Sequence, residues 1–358
     1  MDKYKLLISG CGTAGTHVAR VAVEDSRAEV AGVFDPRQEA MAALLAEFPT
    51  AVAGHELESL LDDVQPDVVA IAGPDHLHAS QAIAAAEHGC HLLIEKPLAV
   101  TVEEAREIMA AVEHNGVIAM TDQTMRYVYP YRQMADMARA GDVGRIFFIQ
   151  GDYVHDMWSY YSPKGHDYTP WRSDKNHPQN ILLGGGCHPI DLMLWTVGSP
   201  VHEVMCYSSK LSVPEFPSDD CYLVSLRFEN GVIAKVTVSS GCSGHGMGEF
   251  LEIFGTEGTL SKGELRRRDA DSVTIPAPTN DTVVGGHGWG GSVTDFLDTL
   301  DGKIANPIPL SEGAKTIAVC EAAARQGRLG ASARAVFDAA LVRLALAADL
   351  INPAAVLA

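Results

Sequence analysis

The chain has 358 residues, 47% of them hydrophobic, with 27 lysines and arginines against 46 aspartates and glutamates, a net charge of −19. That length predicts about two domains, each with a core of its own. The acidic balance, with no basic stripe, argues against nucleic acid as a partner, and no apolar run reaches the roughly 18 residues of a membrane span. The seven cysteines are an odd number without a C-x-x-C pair and read as reduced thiols. Met1-Asp2-Lys3-Tyr4 leads straight into a strand pattern, so no signal peptide and a cytoplasmic location are expected.

Residues 5–9 are a short apolar strand that ends in Gly10-Cys11-Gly12-Thr13-Ala14-Gly15. This is G-x-G-x-x-G followed by a helical stretch from His17 to Ala22. Gly10 permits a tight turn, Gly12 lets backbone approach a pyrophosphate, and Gly15 lets the helix lie on the strand. The helix start offers N–H groups and a positive dipole end to phosphates. A second apolar run, 28–34, ends at Asp35, twenty positions after Gly15, where an acid meets an adenosine ribose. The plain alternative is a βαβ turn with Asp35 capping the next helix. Further strands at 67–72, 91–94 and 117–121 alternate with Ala-rich helices at 36–48, 79–88 and 102–115. That alternation predicts an α/β fold, a doubly wound parallel sheet covered on both faces. Gly89 and Gly116 stand where helices stop.

The pattern changes at 127–130. A helix at 131–140, ended by Gly141 and Gly144, precedes a long strand at 145–155. Strands follow at 202–208, 222–228, 232–239 and 250–254. Val224, Leu226 and Phe228 alternate with Ser225 and Arg227, and Ala234, Val236 and Val238 with Lys235, Thr237 and Ser239. With Glu229-Asn230-Gly231 between them, these two runs predict a hairpin. The second domain is therefore expected to be a large, mostly antiparallel sheet with helices on one face. The boundary falls near 125–145, giving 1–125 as a Rossmann domain, 126–330 as the second α/β domain with a helix at 311–325, and 331–358 as a helical tail.

Several residues carry potential chemistry. Lys96 follows the strand at 91–94 in Glu95-Lys96-Pro97, where ligands of a doubly wound sheet sit. Beside a cationic nicotinamide its pKa should fall, because like charge disfavours the protonated amine; otherwise it is a surface lysine paired with Glu95. Pro74 and His78 lie at the same sheet edge, and His78 reads equally as a helix cap or a contact to cofactor. His188 follows Gly184-Gly185-Gly186 at the start of a helix expected from about Pro189. It reads as a base with a pKa near about 6.5 or as a satisfied buried histidine. The segment 155–178 holds His155, Tyr160, Trp171 and Arg172 among other polar and aromatic residues, a composition that suits a sugar ring or a subunit contact. His287 and Trp289, among glycines, predict a loop over the site or an ordinary turn. Tyr160 and Lys164 have Y-x-x-x-K spacing, but Pro163 interrupts the helix such a pair needs. Histidines 155, 166, 177 and 188 recur without a metal-ligand pattern, so no metal is expected.

Taken together, Gly10–Gly15 with Asp35, Pro74 with His78, Glu95-Lys96-Pro97, Gln123 with Arg126, Cys187-His188-Pro189-Ile190-Asp191 and 254–259 resemble the Gfo/Idh/MocA family over about residues 4–325. The resemblance implies an NAD(P)-dependent oxidoreductase that moves a hydride between a secondary hydroxyl of a sugar, cyclitol or glycoside and the nicotinamide. It implies Lys96 and His188 as the catalytic pair. Gly10, Gly12, Thr13, Ala14, Gly15, Asp35, Pro74, His78, Glu95 and Arg126 would lie on or near the cofactor. The substrate would meet Lys96, Arg126, His155, Tyr160, Trp171, Arg172, His188, Asp191 and His287. Asp35 favours NAD, while Arg37 keeps NADP open. A homodimer or homotetramer through the second sheet is implied, with no membrane partner. One departure stands out: Gly184 occupies the position four before the histidine where many members have aspartate, and Gln179 and Asn180 replace upstream glycines. Asp191 is then the candidate to orient His188. Two other readings stay open: a glycoside-processing enzyme that uses tightly bound NAD in a transient oxidation, and a non-catalytic NAD-binding regulator.

Overall fold

The computed structural model describes residues 3–177, 179–213, 216, 218–244, 246, 248–279 and 286–329. Strands and helices first alternate: β1 (Tyr4–Ser9), α1 (Thr13–Glu24), β2 (Ala28–Phe34), α2 (Gln38–Glu47), β3 (Val52–Gly54), α3 (Leu57–Val64), β4 (Val68–Ile71), α4 (His78–Glu87), β5 (His91–Glu95), α5 (Val102–Asn115) and β6 (Ala119–Asp122). Next come α6 (Tyr131–Ala140), β7 (Ile146–Val154), α7 (Trp158–Tyr161), α8 (Ile181–Gly184), α9 (Cys187–Val197) and β8 (Val201–Ser209). Then follow β9 (Cys221–Phe228), β10 (Ile233–Ser239), β11 (Glu252–Gly255), β12 (Thr259–Ser261), β13 (Glu264–Arg266) and β14 (Val273–Thr274). Helices α10 (Trp289–Leu300) and α11 (Leu310–Leu329) complete the described chain.

The chain divides into two compact units, Met1–Val128 with Asn280–Gly313, and Tyr129–Thr279 with Ala314–Ala358. The first holds a six-stranded sheet in the order β3-β2-β1-β4-β5-β6, parallel at every pairing. β4 and β6 are buried along their whole length, and β5 at every residue after His91, which is why β4 and the middle of β5 read as unbroken apolar runs. With all strands parallel, their carboxyl ends share one edge. Thr101 caps α5 by accepting the Glu104 N–H, and Gly116 ends that helix at φ +64°. The return of 280–313 into this unit lies outside the linear division at 126–330. Its cause is hydrophobic: Trp289, Val293, Phe296 and Leu297 of α10 are buried in one core with Leu6, Val18, Ala22 and Leu93. Arg27 ties the far end of α10 down, with Nη1 at 2.6 Å from Asp298 and 2.8 Å from Asp301. β3 and α3 were absent from the expectation; Val52 and Ala53 are exposed, so no apolar run marks that edge strand.

The second unit holds an eight-stranded sheet in the order β14-β13-β12-β11-β7-β10-β9-β8. β9 and β10 form the expected antiparallel hairpin, and β10 joins β7 in parallel. Val224, Leu226, Phe228, Ala234, Val236 and Val238 are all buried. The opposite face leaves Met205, Tyr207, Leu223 and Ile233 exposed. α9 begins two residues before the expected Pro189, at Cys187. α11 extends beyond the expected 311–325. The tail expected at 331–358 lies outside the described residues. All seven cysteines are free thiols. Among the described residues no helix is long and apolar enough to cross a membrane.

Candidate active site

In the first unit the glycine loop joins β1 to α1. Gly10 adopts φ +103°, and a side-chain carbon there would lie 2.5 Å from the backbone of Ala72 and Gly73. At Gly15 the same carbon would lie 2.0 Å from the Gly10 carbonyl oxygen. Both glycines are thus demanded by the protein's own packing. Gly12 is different, since its nearest neighbour would be Arg37 Nη2 at 3.8 Å. Among the described residues no other atom lies within 4 Å of that position. α1 carries no side-chain cap and no acid in its first turn, so no side chain of its own first turn competes for its leading N–H groups. These features fit a dinucleotide pyrophosphate. Asp35 is buried; its carboxylate accepts the Cys11 N–H at 2.9 Å and the Arg37 N–H at 2.8 Å. The Arg37 guanidinium donates to both carboxylate oxygens, at 3.1 and 3.0 Å. One acid therefore holds the glycine loop, the end of β2 and the guanidinium in register.

The carboxyl ends of β5 and β6 bring two acids together. Glu95 and Asp122 are partners in the strand register, and both are buried. Trp289 Nε1 donates to Glu95 Oε1 at 3.2 Å. Ser292, three residues on, donates to Asp122 Oδ1. Asp122 Oδ2 is buried with no hydrogen-bond partner among the described residues. Burial raises the proton affinity of Glu95, against the opposing charge of Lys96. Burial and then the neighbouring Glu95 raise Asp122 well above the carboxylate range. The Trp289 ring is stacked between His17 and His287, each centroid at 4.7 Å. His287 Nδ1 lies 3.0 Å from Thr124 Oγ1. Burial, then the charges of Lys96 and His17, push its pKa down to about 4, so the ring is neutral at pH 7.

In the second unit His188 is 3% exposed on the first turn of α9. Its ring lies 6.3 Å from that of Tyr153 and 6.0 Å from that of Phe250, and Tyr153 also meets His155 at 5.9 Å. His155 Nδ1 is buried without a hydrogen-bond partner among the described residues, and burial lowers that ring's pKa. Asp191 is buried and accepts from Thr316 Oγ1 at 3.4 Å. A side-chain carbon on Gly184 would lie 2.6 Å from Gln179 Nε2 and 2.7 Å from its Cδ. The Gln179 amide thus fills the volume that a residue at 184 would take. Its Oε1 accepts from Arg172 Nη1 at 2.6 Å and Tyr161 OH at 3.3 Å. The Arg172 guanidinium lies 4.6 Å over the Trp171 ring.

Comparison with known proteins agrees with this geometry. Residues 4–123 match the oxidoreductase family with an NAD-binding Rossmann fold, and residues 131–261 match the GFO/IDH/MocA C-terminal domain. The chain belongs to the Gfo/Idh/MocA family. It is 31% identical to a levoglucosan dehydrogenase of Pseudarthrobacter phenanthrenivorans over 56% of this chain and 56% of that enzyme's length. It is 29% identical to inositol 2-dehydrogenase 2 of Saccharopolyspora erythraea over 71% of each chain. A solved inositol dehydrogenase homologue from Azotobacter vinelandii, complexed with NADH and myo-inositol, superposes with a TM-score of 0.77 at 17% identity, covering 92% of this chain and 96% of that one; this likeness is one of fold.

Within this Gfo/Idh/MocA chain, the first unit brings together the glycine loop, Asp35, Arg37, Glu95 and His287, and electrostatics link Lys96 to Glu95, Asp122 and His287. Two residues expected at the cofactor also make contacts within the protein. His78 is buried, with Nδ1 at 2.7 Å from the Pro97 carbonyl and Nε2 at 3.1 Å from that of Gly73. Both ring nitrogens face backbone carbonyls, so the ring links the loops after β4 and β5. Pro74 caps the short turn at Asp75–Leu77 beside it. Arg126 is 3% exposed and paired with Glu312 at 3.0 Å, so one of its guanidinium nitrogens is already engaged within the protein. Trp289 is no flexible loop residue; its ring is buried and its N–H is committed to Glu95. In the second unit His188, His155, Tyr153 and Phe250 form one ring cluster, and Trp171, Arg172 and Gln179 another. Tyr160 stands in α7, its carbonyl accepting the Thr169 N–H at 3.0 Å. Sequence reasoning missed His17, Asp122 and Gln179 as site residues. Asp122 had a visible signal, an acid at the end of an apolar strand, which is where β5 places Glu95.

Proposed function

We propose that the protein is an NAD-dependent dehydrogenase acting on a secondary hydroxyl of a sugar, cyclitol or glycoside. The observation that carries the reading is the Glu95-Lys96 strand end on the same carboxyl edge as an open glycine cradle. The names of the relatives agree with it: a levoglucosan dehydrogenase and an inositol dehydrogenase, and a structural neighbour bound to NADH and myo-inositol. Bound NAD supplies the acceptor for the hydrogen on the carbinol carbon. Lys96 hydrogen-bonds the reacting oxygen and stabilises its developing negative charge. His188 accepts the hydroxyl proton as general base. Tyr160, Trp171, Arg172, His155 and His287 supply ring faces and hydrogen bonds to a polyol. Asp35 repels a 2′-phosphate, which favours NAD over NADP. Arg37 gives two of its five side-chain donors to that same carboxylate, and the remaining ones keep NADP open.

The exposed face with Met205, Tyr207, Leu223 and Ile233 is proposed as the contact with a second copy of the chain, since such a patch marks an interface. Free thiols suit a reducing compartment such as the cytoplasm. The test is a panel of sugars, inositols and glycosides with NAD, followed by NADH absorbance. Turnover of a polyol or sugar supports the proposal. Release of reducing sugar from a glycoside without net NADH replaces it with the transient-oxidation reading.

A further inference from the structure

We propose that Glu95 and Asp122 form one buried two-carboxyl site holding a single proton, with Asp122 the protonated member, and that this site fixes the charge beside Lys96. The geometry comes from register. Glu95 and Asp122 are directly paired on neighbouring parallel strands, which run about 5 Å apart with paired side chains on one face. They are 7% and 1% exposed. Trp289 and Ser292 of α10, at i and i+3, reach one acid each, the spacing that puts two side chains on one helix face. Glu95 keeps a donor on its ionised oxygen. Asp122 Oδ2 has none among the described residues. A charged oxygen buried without a donor is costly, whereas the protonated form removes the charge. Two like charges at this separation do not both ionise in a dry site.

The charged and titratable groups around the pair are few among the described residues. Lys96, after β5, acts on both acids, and His78, at the start of α4, acts on Glu95. His287, ahead of α10, is held neutral, and His17 on α1 acts on it. With one proton, the pair presents a single negative charge to the one ammonium of Lys96. Two charges would bind the lysine proton too firmly for it to be shared with a substrate oxygen; none would leave the lysine unbalanced next to a cationic ring. This consequence rests on the role of Lys96 proposed above, while the shared proton does not. Asp122 is thus a positioning residue for Lys96.

The experiment is infrared titration of the NAD-free protein, which needs no turnover. A protonated carboxyl band should persist at pH 8 and vanish in Asp122→Asn. In Ser292→Ala, which removes the donor favouring the ionised form, the band should titrate at least one pH unit higher than in the wild type. Absence of the band at pH 8, or a band unmoved by both substitutions, overturns the shared proton. With an active substrate in hand, the pH profile of kcat/KM adds a second reading. Asp122→Asn should shift its alkaline limb by a unit or more, while a uniform drop without a shift overturns the link to Lys96. If no substrate is found, the infrared arm still decides the first part.

Discussion

The three loop glycines separate fold from binding. In Gly15→Ala the new carbon would sit 2.0 Å from the Gly10 carbonyl oxygen and 2.9 Å from Ile8 Cγ2. The closer of these contacts is to backbone, which no rotamer relieves, so α1 must move off β1. Overpacking of this kind costs about 3 kcal/mol, which lowers the melting temperature of a unit this size by roughly 6–12 °C. In Gly12→Ala the new carbon meets nothing closer than 3.8 Å, and the residue is extended at φ −80°, so an alanine fits. Its stability should match the wild type to within about 1 kcal/mol. NAD affinity should nevertheless fall, because the methyl enters the space left for the pyrophosphate. An overpacking cost of about 1–3 kcal/mol corresponds to binding roughly 5- to 150-fold weaker. Thermal melts and NAD calorimetry on both variants make the assay. If Gly12→Ala binds NAD as tightly as the wild type, the pyrophosphate does not lie over this loop and the cradle argument fails.

Other outcomes follow from the same geometry. Gly184→Ala should destabilise by about 1–3 kcal/mol through its clash with Gln179, and Gln179→Ala in the same chain should recover most of that in urea melts; an unaltered single variant would refute the packing. His287 has a folded pKa of about 4 against about 6.5 unfolded, so the unfolded state binds the extra proton. Its contribution is present above pH 6.5 and is lost as pH falls towards 4, amounting to about 2–3 kcal/mol. The urea midpoint of the wild type should therefore fall across that window more steeply than that of His287→Asn, and parallel curves would contradict the burial of the neutral ring. Glu312→Ala removes an ionic partner of the buried Arg126 and should cost about 3 kcal/mol by urea titration; a loss below roughly 0.5 kcal/mol would mean that the pair is solvated.

Much of the first unit was legible because its signals are local. An apolar run, a glycine loop and a helical stretch at short range predict β1, α1 and β2, and the spacing from Gly15 to Asp35 places the acid. The hairpin of β9 and β10 was legible for the same reason, as a period-two alternation around Glu229-Asn230-Gly231. What the pattern did not carry were pairings between distant segments. Trp289 and Ser292 reach Glu95 and Asp122 across more than 160 positions, and nothing local to α10 names the sheet it joins. The same applies to Gln179, whose amide stands against Gly184. From sequence the glycine looks like a lost carboxylate; in the structure it is also the space a neighbour's side chain needs. His78 reads from sequence as a cofactor contact or a helix cap, and its proximity to the carbonyls of Gly73 and Pro97 is a tertiary contact that no local pattern shows.

The most direct test of the proposed reaction is a paired measurement on Lys96→Ala and His188→Ala: NAD affinity by calorimetry, and NADH formation with whichever polyol or sugar the wild type oxidises. Both variants should keep the wild-type affinity for NAD to within about threefold and lose about 10²–10⁴-fold in kcat. Full turnover in either variant would remove that side chain from the chemistry and contradict the account.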